Sequence, residues 1–235
     1  MLRLNPASLS VILGNQLLAD SAHLRPIFEH QLLPLISKRL LNMTLQRANS
    51  GSIGLGSALS LFLTAYKLSP AYIAEVGTYI GNSAASMALG AVLTGRPVKL
   101  TTCDMNQCTQ NPLEGIALPN GSEAEVVQGS STKMLQALNA KNAKIDLFHI
   151  DGRLLQDDIK LLATVLKDET VIALDDCEGD EKGHMNLDLL RRANLLKHHV
   201  FIEPFPKEVF RTWNLETRSL TGFLVPTKLI SYARQ

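Results

Sequence analysis

Ala74–Ser83 reads A-E-V-G-T-Y-I-G-N-S. The apolar run Ala71-Tyr72-Ile73-Ala74 leads into it, and Ala84–Leu93 beyond it carries small and apolar residues at helical spacing. A strand, a glycine turn and a helix are therefore expected in that order. Gly77 lets the chain leave the strand where a side chain would obstruct it, and Gly81 lets other atoms come close to the helix N-terminus. Glu75, at the strand end, repels phosphate but suits an ammonium or a hydroxyl. The spacing is G-x-x-x-G rather than the G-x-G-x-x-G of dinucleotide sites. Taken alone, this corner is as readily a plain strand–helix connection as a ligand site.

Downstream, strands and helices alternate. Strands are expected at Val98–Cys103, Glu125–Val127, Ile145–Ile150, Thr170–Leu174, His199–Ile202 and Thr221–Val225, with helices at Thr132–Leu138, Leu154–Lys167 and Met185–Leu196 between them. Asn106–Gly121 is rich in turn residues and is expected to be a loop with at most one short helix. This alternation predicts an α/β fold: a Rossmann-like, doubly wound, mostly parallel seven-stranded sheet with helices on both faces. Ligands of such sheets sit beyond the strand carboxyl ends. Glu75, Asp104, Asp151, Asp175 and Asp176 all fall at those ends. Carboxylates gathered on one rim are costly unless cations or hydroxyls satisfy them. Asp104, ending the second strand, is placed to accept both hydroxyls of a ribose, with an exposed turn aspartate as the competing reading. Gln128-Gly129-Ser130-Ser131, after the third strand, either meets an adenine edge or caps the next helix.

Residues 1–50 are expected to form an N-terminal helical extension, with helices at 7–20 and 22–48, the second interrupted by Pro26 and Pro34. They would serve as a lid or an oligomer contact, a homodimer being the simplest form. Residues 51–235 would form the main domain. Lys38, Arg39 and Arg47 are expected to be a solvated face. Gly51–Ser57, glycine-rich and ahead of a helix at Ala58–Lys67, is either a hinge or a lid over a bound cofactor.

Composition narrows the function. The net charge is +1 across 235 residues, and no basic run appears, so nucleic acid is not an expected partner. No run of about eighteen apolar residues occurs, so no membrane association is expected. Three cysteines, Cys103, Cys108 and Cys177, have no zinc spacing and no full disulfide pairing. A reducing, cytoplasmic setting is the expectation.

In their order, these elements resemble the class I S-adenosylmethionine-dependent methyltransferases. The resemblance spans roughly residues 50 to 177. It is to the metal-dependent O-methyltransferase branch with catechol, caffeoyl-CoA and bacterial sugar O-methyltransferases. It implies that Glu75, Gly77, Tyr79, Gly81 and Ser83 hold the methionine end of S-adenosyl-L-methionine, Asp104 the ribose, and Gly129 with Ser130 the adenine. Asp151 is counted with the cofactor residues as well. It further implies a divalent cation, Mg2+ or another, on Asp151, Asp175 and Asp176, whose oxygens suit magnesium. The acceptor would be a hydroxylated small molecule: a phenol, a sugar or a natural product. The chain departs from the family two and three residues past Asp151, where Arg153 and Leu154 stand in place of an acid or a lysine. Either the metal alone then acidifies the substrate, or His184 in the following loop or His149 in the strand supplies the base, with Asp151 and His184 taken as the catalytic residues. Three outcomes stay open: a metal-assisted O-methyltransferase, a metal-independent N- or O-methyltransferase, or an inactive cofactor-binding module.

Overall fold

The computed structural model describes residues 6–44, 52–106, 111–178 and 182–231. Arg47, Gly51, Cys108 and the end of the helix expected over 22–48 lie outside those residues. The chain opens with α1 (Pro6–Asp20), whose first position suits proline because the N–H there has no helical partner. A 3-10 turn at Ala22–Leu24, α2 (Arg25–Ile27), a π turn at Phe28–Leu32 and α3 (Leu33–Thr44) follow without a break. Pro34 has no N–H to give to the carbonyl four residues back, and the widened turn lies immediately before it.

The α/β part then runs α4 (Leu55–Leu68), β1 (Tyr72–Val76), α5 (Asn82–Val92), β2 (Lys99–Asp104), β3 (Glu123–Gln128), α6 (Ser131–Ala140) and β4 (Ile145–Ile150). It continues through α7 (Asp158–Val165), β5 (Leu166–Leu174), α8 (Lys182–Arg192), β6 (His199–Ile202), α9 (Lys207–Phe210), β7 (Gly222–Pro226) and α10 (Thr227–Ser231). The sheet has seven strands in the order β3-β2-β1-β4-β5-β7-β6. Strands β1 to β5 pair in parallel, and β7 pairs antiparallel with both β5 and β6. This is the doubly wound, mostly parallel architecture expected from the alternation.

Strand side chains alternate between two apolar layers. On one face Ile73, Leu100, Leu147, Val171 and Phe223 meet Phe62 of α4, Met87 of α5 and Trp213. Leu18, Phe28, Leu32 and Ile36 from the N-terminal helices join the same layer. On the other face Ala74, Phe148, Ile150, Ile172 and Leu174 pack on Met134, Leu135 and Leu138 of α6, Leu162 of α7 and Leu187 of α8. Each fully buried side chain of this size contributes about 1.5–3 kcal/mol by leaving water.

Several expected boundaries move, that of α8 among them, which spans Lys182–Arg192 rather than Met185–Leu196. The helix expected from Ala58 begins at Leu55, so Gly56 and Ser57 form its first turn rather than a loop. The helix expected over Leu154–Lys167 is confined to α7, because Arg153–Asp157 remains a loop and Leu166 already pairs with Ile145 as β5.

Candidate active site

The strand order reverses between β1 and β4, which places a crevice beyond their carboxyl ends. The 74–83 turn forms its floor. Gly77 has φ +99, and a Cβ there would stand 3.0 Å from the Asp151 carbonyl carbon, so both the backbone conformation and the close approach require glycine. The Gly77 and Thr78 N–H groups donate to the Cys103 carbonyl at 2.9 and 3.1 Å. Tyr79 follows with φ 44, a strained value for a bulky residue. Its N–H donates to Asp104 Oδ2 at 2.9 Å, and the Asn106 N–H donates to Oδ1 at 2.8 Å. The carboxylate ending β2 is thereby fixed at the mouth of the turn. Gly81, also left-handed, caps α5.

Ser52, Ile53, Thr78, Tyr79, Ile80, Asn82, Ser83 and Asp151 line a recess of about 10 Å³ over this turn. Asn82 Nδ2 donates to Ser52 Oγ at 2.9 Å, tying the segment before α4 to the start of α5. Asn82 Oδ1 is buried with no hydrogen-bond partner. A buried acceptor without a donor is costly unless something supplies one.

A polar row crosses the sheet beneath the recess. Glu75 pairs in register with Thr102 on one side and His149 on the other. Thr102 Oγ1 donates to Glu75 Oε2 at 2.7 Å, Thr78 and Thr102 hydroxyls lie 2.6 Å apart, and His149 Nδ1 is 3.0 Å from Glu75 Oε1. Glu75 and His149 are both fully buried. Burial by itself lowers the His149 pKa, but the hydrogen bond and charge of Glu75, with Asp175 and Asp151, outweigh it and raise the value above 6.5. His149 Nε2 has no partner.

The three acids at the ends of β4 and β5 divide between two sets of partners. Asp175 Oδ1 accepts from Thr221 Oγ1 at 2.6 Å and from Ser57 Oγ at 3.4 Å. Asp151 and Asp176 instead share Lys182, whose Nζ lies 2.6 Å from Asp151 Oδ1 and 2.9 Å from Asp176 Oδ2. Asp176 has a left-handed backbone at φ 51. Among the described residues, no three or more His, Cys, Asp or Glu side chains gather where they could hold a metal ion. The donor set expected for magnesium on Asp151, Asp175 and Asp176 is therefore not assembled, because an ammonium lies between two of its acids and hydroxyls hold the third. Burial, reinforced by Asp175, pushes the Asp151 carboxyl up to about 7 against the pull of His149 and Lys182.

Other expected residues fall as follows. Ser83 is buried in the first turn of α5 and lines the recess. Gly129 lies beside Asp104, donating its N–H to the Asp104 carbonyl at 2.8 Å. Ser130 caps α6, accepting from the Lys133 N–H, so its hydroxyl serves the helix end. His184 Nε2 lies 3.1 Å from the Cys177 carbonyl, and its ring meets Phe201 edge-on. Two residues apart on a helix, Lys182 and His184 do not share a face, so the acid pair and the histidine ring are not brought together there. Arg153 is exposed.

Arg39 corrects the expectation of a solvated basic face. Its guanidinium donates to the carbonyls of Gly81 at 2.6 Å, Pro112 at 2.9 Å and Glu114 at 3.2 Å, stapling α3 across the glycine turn. The spacing of Arg39 and Lys182 in the sequence carries no signal of these contacts. Asn82 could have been found, since it lies inside the quoted stretch.

Residues 74–177 match a family described as a methyltransferase domain. No curated protein matches the chain. Several solved structures share the fold. The O-methyltransferase TomG from Streptomyces achromogenes, involved in tomaymycin synthesis and bound to SAM, is 15% identical with TM-score 0.57, over 81% of this chain and 88% of that one. An O-methyltransferase from Bacillus cereus in complex with SAH is 15% identical with TM-score 0.58, over 80% of this chain and 89% of that one. Cofactor-bound Rv0187 from MTB is 15% identical with TM-score 0.58, over 96% of this chain and 99% of that one. The match to a methyltransferase domain spans the glycine turn and the acid rim, and the likeness in fold to these solved structures extends over most of the chain.

Proposed function

We propose that the chain transfers a methyl group from S-adenosylmethionine to a hydroxyl of a small molecule. The observation that carries this reading is the recess over the 74–83 turn, with Asn82 Oδ1 left as a buried acceptor without a donor and the Asp104 carboxylate held to the same turn by the Tyr79 N–H. An acceptor oxygen and a carboxylate in that arrangement suit a ligand bearing an ammonium and paired ribose hydroxyls. Two O-methyltransferases among the fold relatives, TomG and the Bacillus cereus enzyme, support an oxygen acceptor.

The residues divide the work as follows. Asn82, Ser83 and the Gly77–Gly81 turn hold the amino-acid end, Asp104 the ribose, and Gly129 with Ser130 the base edge. Ser52, latched to Asn82, covers the recess, which at about 10 Å³ has to open before a nucleoside enters. When bound, the cofactor supplies a methyl group on a sulfonium sulfur, open to in-line attack by oxygen. Asp151 borders both the recess and the acid rim, and it takes the proton that the hydroxyl gives up. A carboxyl pushed up to about 7 is matched to that task near neutral pH. The rest of the acceleration comes from holding oxygen and methyl carbon in line and excluding water.

The test is a panel of phenols, sugars and simple amines incubated with the protein and methyl-labelled cofactor, with products mapped by mass spectrometry. Methyl groups on oxygen are expected. Products methylated only on nitrogen, or cofactor binding with no product from any acceptor, would overturn the reading.

A further inference from the structure

We propose that Lys182 is a built-in cation at the acid rim, taking the place of a divalent metal, and that it orients an acceptor through a single oxygen. The proposal rests on the methyltransferase reading above. Asp151 closes β4 and Asp176 follows β5, yet their carboxylates converge on one ammonium at 2.6 and 2.9 Å. The two acids are mostly shielded, with side-chain exposures of 10% and 31%, and Lys182 itself is at 25%. Two carboxylates held this close repel each other unless a positive charge lies between them. Lys182, the first residue of α8, supplies that charge covalently. Asp175, the remaining acid, is satisfied by Thr221 and Ser57 and contributes no third oxygen to the Lys182 seat. Among the described residues, no other cluster offers a metal shell.

The exchange of cation has a consequence for the acceptor. A divalent ion with open positions binds two vicinal oxygens at once. An ammonium has three N–H donors and no open coordination positions. Two of the three are directed at Asp151 and Asp176, leaving one for an acceptor oxygen. The substrate class that fits is a molecule presenting one hydroxyl, such as a simple phenol or an isolated alcohol, with no requirement for a vicinal diol. Lys182 is on this account a positioning residue, holding Asp151 and one acceptor oxygen in place.

The experiment is a Mn2+ titration of the full chain, with and without S-adenosylhomocysteine, followed by the electron paramagnetic resonance signal of free Mn2+. Wild type is expected to take up no ion, and Lys182→Met to take up one, because the freed acid pair then needs a cation. Should Lys182→Met not fold by circular dichroism, Lys182→Gln replaces it. Uptake by wild type would overturn the proposal, and so would a lack of uptake by both proteins, since the acids would then form no cation seat. The arm without nucleoside stays readable even if the protein proves to bind no S-adenosylhomocysteine, so failure of the methyltransferase reading is seen separately.

Discussion

Glu75 and His149 are an ion pair with no exposure to solvent, fixed by a threonine hydroxyl on one side and by charge from Asp175 and Asp151 on the other. Removing one member leaves the other charge buried and alone. His149→Phe should therefore cost about 3–5 kcal/mol in urea denaturation, whereas Glu75→Gln with His149→Phe together should cost less than the sum of the two singles. Asp151 makes a different forecast. Its carboxyl is pushed from 3.8 up to about 7, so the folded chain binds that proton more tightly than the unfolded one. Stability from this group is full below about pH 4, falls as pH climbs to about 7, and is level beyond. The raised His149 acts in the next window: its stabilisation is full below about pH 6.5 and is lost as pH rises through its folded value. Urea midpoints measured from pH 4 to 9 should decline, and Asp151→Asn should remove the lower part of the decline. The difference between the two proteins should reach at most about 4 kcal/mol, from roughly three pKa units at about 1.4 kcal/mol each. An Asp151→Asn curve parallel to wild type through that window would contradict the assignment. A residue that costs stability at working pH is typical of a functional site.

Arg39 joins α3 to the glycine turn through three carbonyls, so a helix remote in sequence fixes the start of α5. Arg39→Ala should weaken S-adenosylhomocysteine binding about tenfold or more while lowering stability by only about 1–3 kcal/mol, since three charge-assisted bonds are lost from a half-buried group. Unchanged affinity by calorimetry would mean that the staple serves the fold alone. How far the sequence speaks for itself differs among the elements. The glycine turn, the seven strands and the acids at the ends of β1, β2, β4 and β5 were legible because they are local: apolar runs closed by Gly, Asp or Glu. The start of α4 was not, because Gly54 and Gly56 look like a loop. Gly56 is helical and glycine because a Cβ there would fall 2.1 Å from the Arg218 carbonyl oxygen, a contact across most of the chain. The early start of β5 was hidden too, since Lys167-Asp168-Glu169 has no strand pattern and lies in an irregularity between the Leu166–Ile145 and Val171–Leu147 pairings with β4. The acids at the rim were visible, but their partners were not. Lys182 reaches Asp151 and His149 reaches Glu75 only once the sheet brings β1, β4 and the start of α8 together.

The fold as a unit sets one apolar layer beneath the N-terminal helices and another beneath α6 to α8, and it leaves the polar chemistry at the strand carboxyl ends. The N-terminal helices cover the same sheet face as α4 and α5, and through Arg39 they also reach the turn. No helix among the described residues is long and apolar enough to cross a membrane. The central claim is that the crevice where the strand order reverses is a nucleoside site built on the 74–83 turn and Asp104. Isothermal titration with S-adenosylhomocysteine tests it most directly: one molecule per chain should bind, and Asp104→Ala, which removes the carboxylate meant for the ribose, should weaken binding by at least about tenfold. No heat from the folded wild type, or an Asp104→Ala affinity equal to wild type, would contradict it.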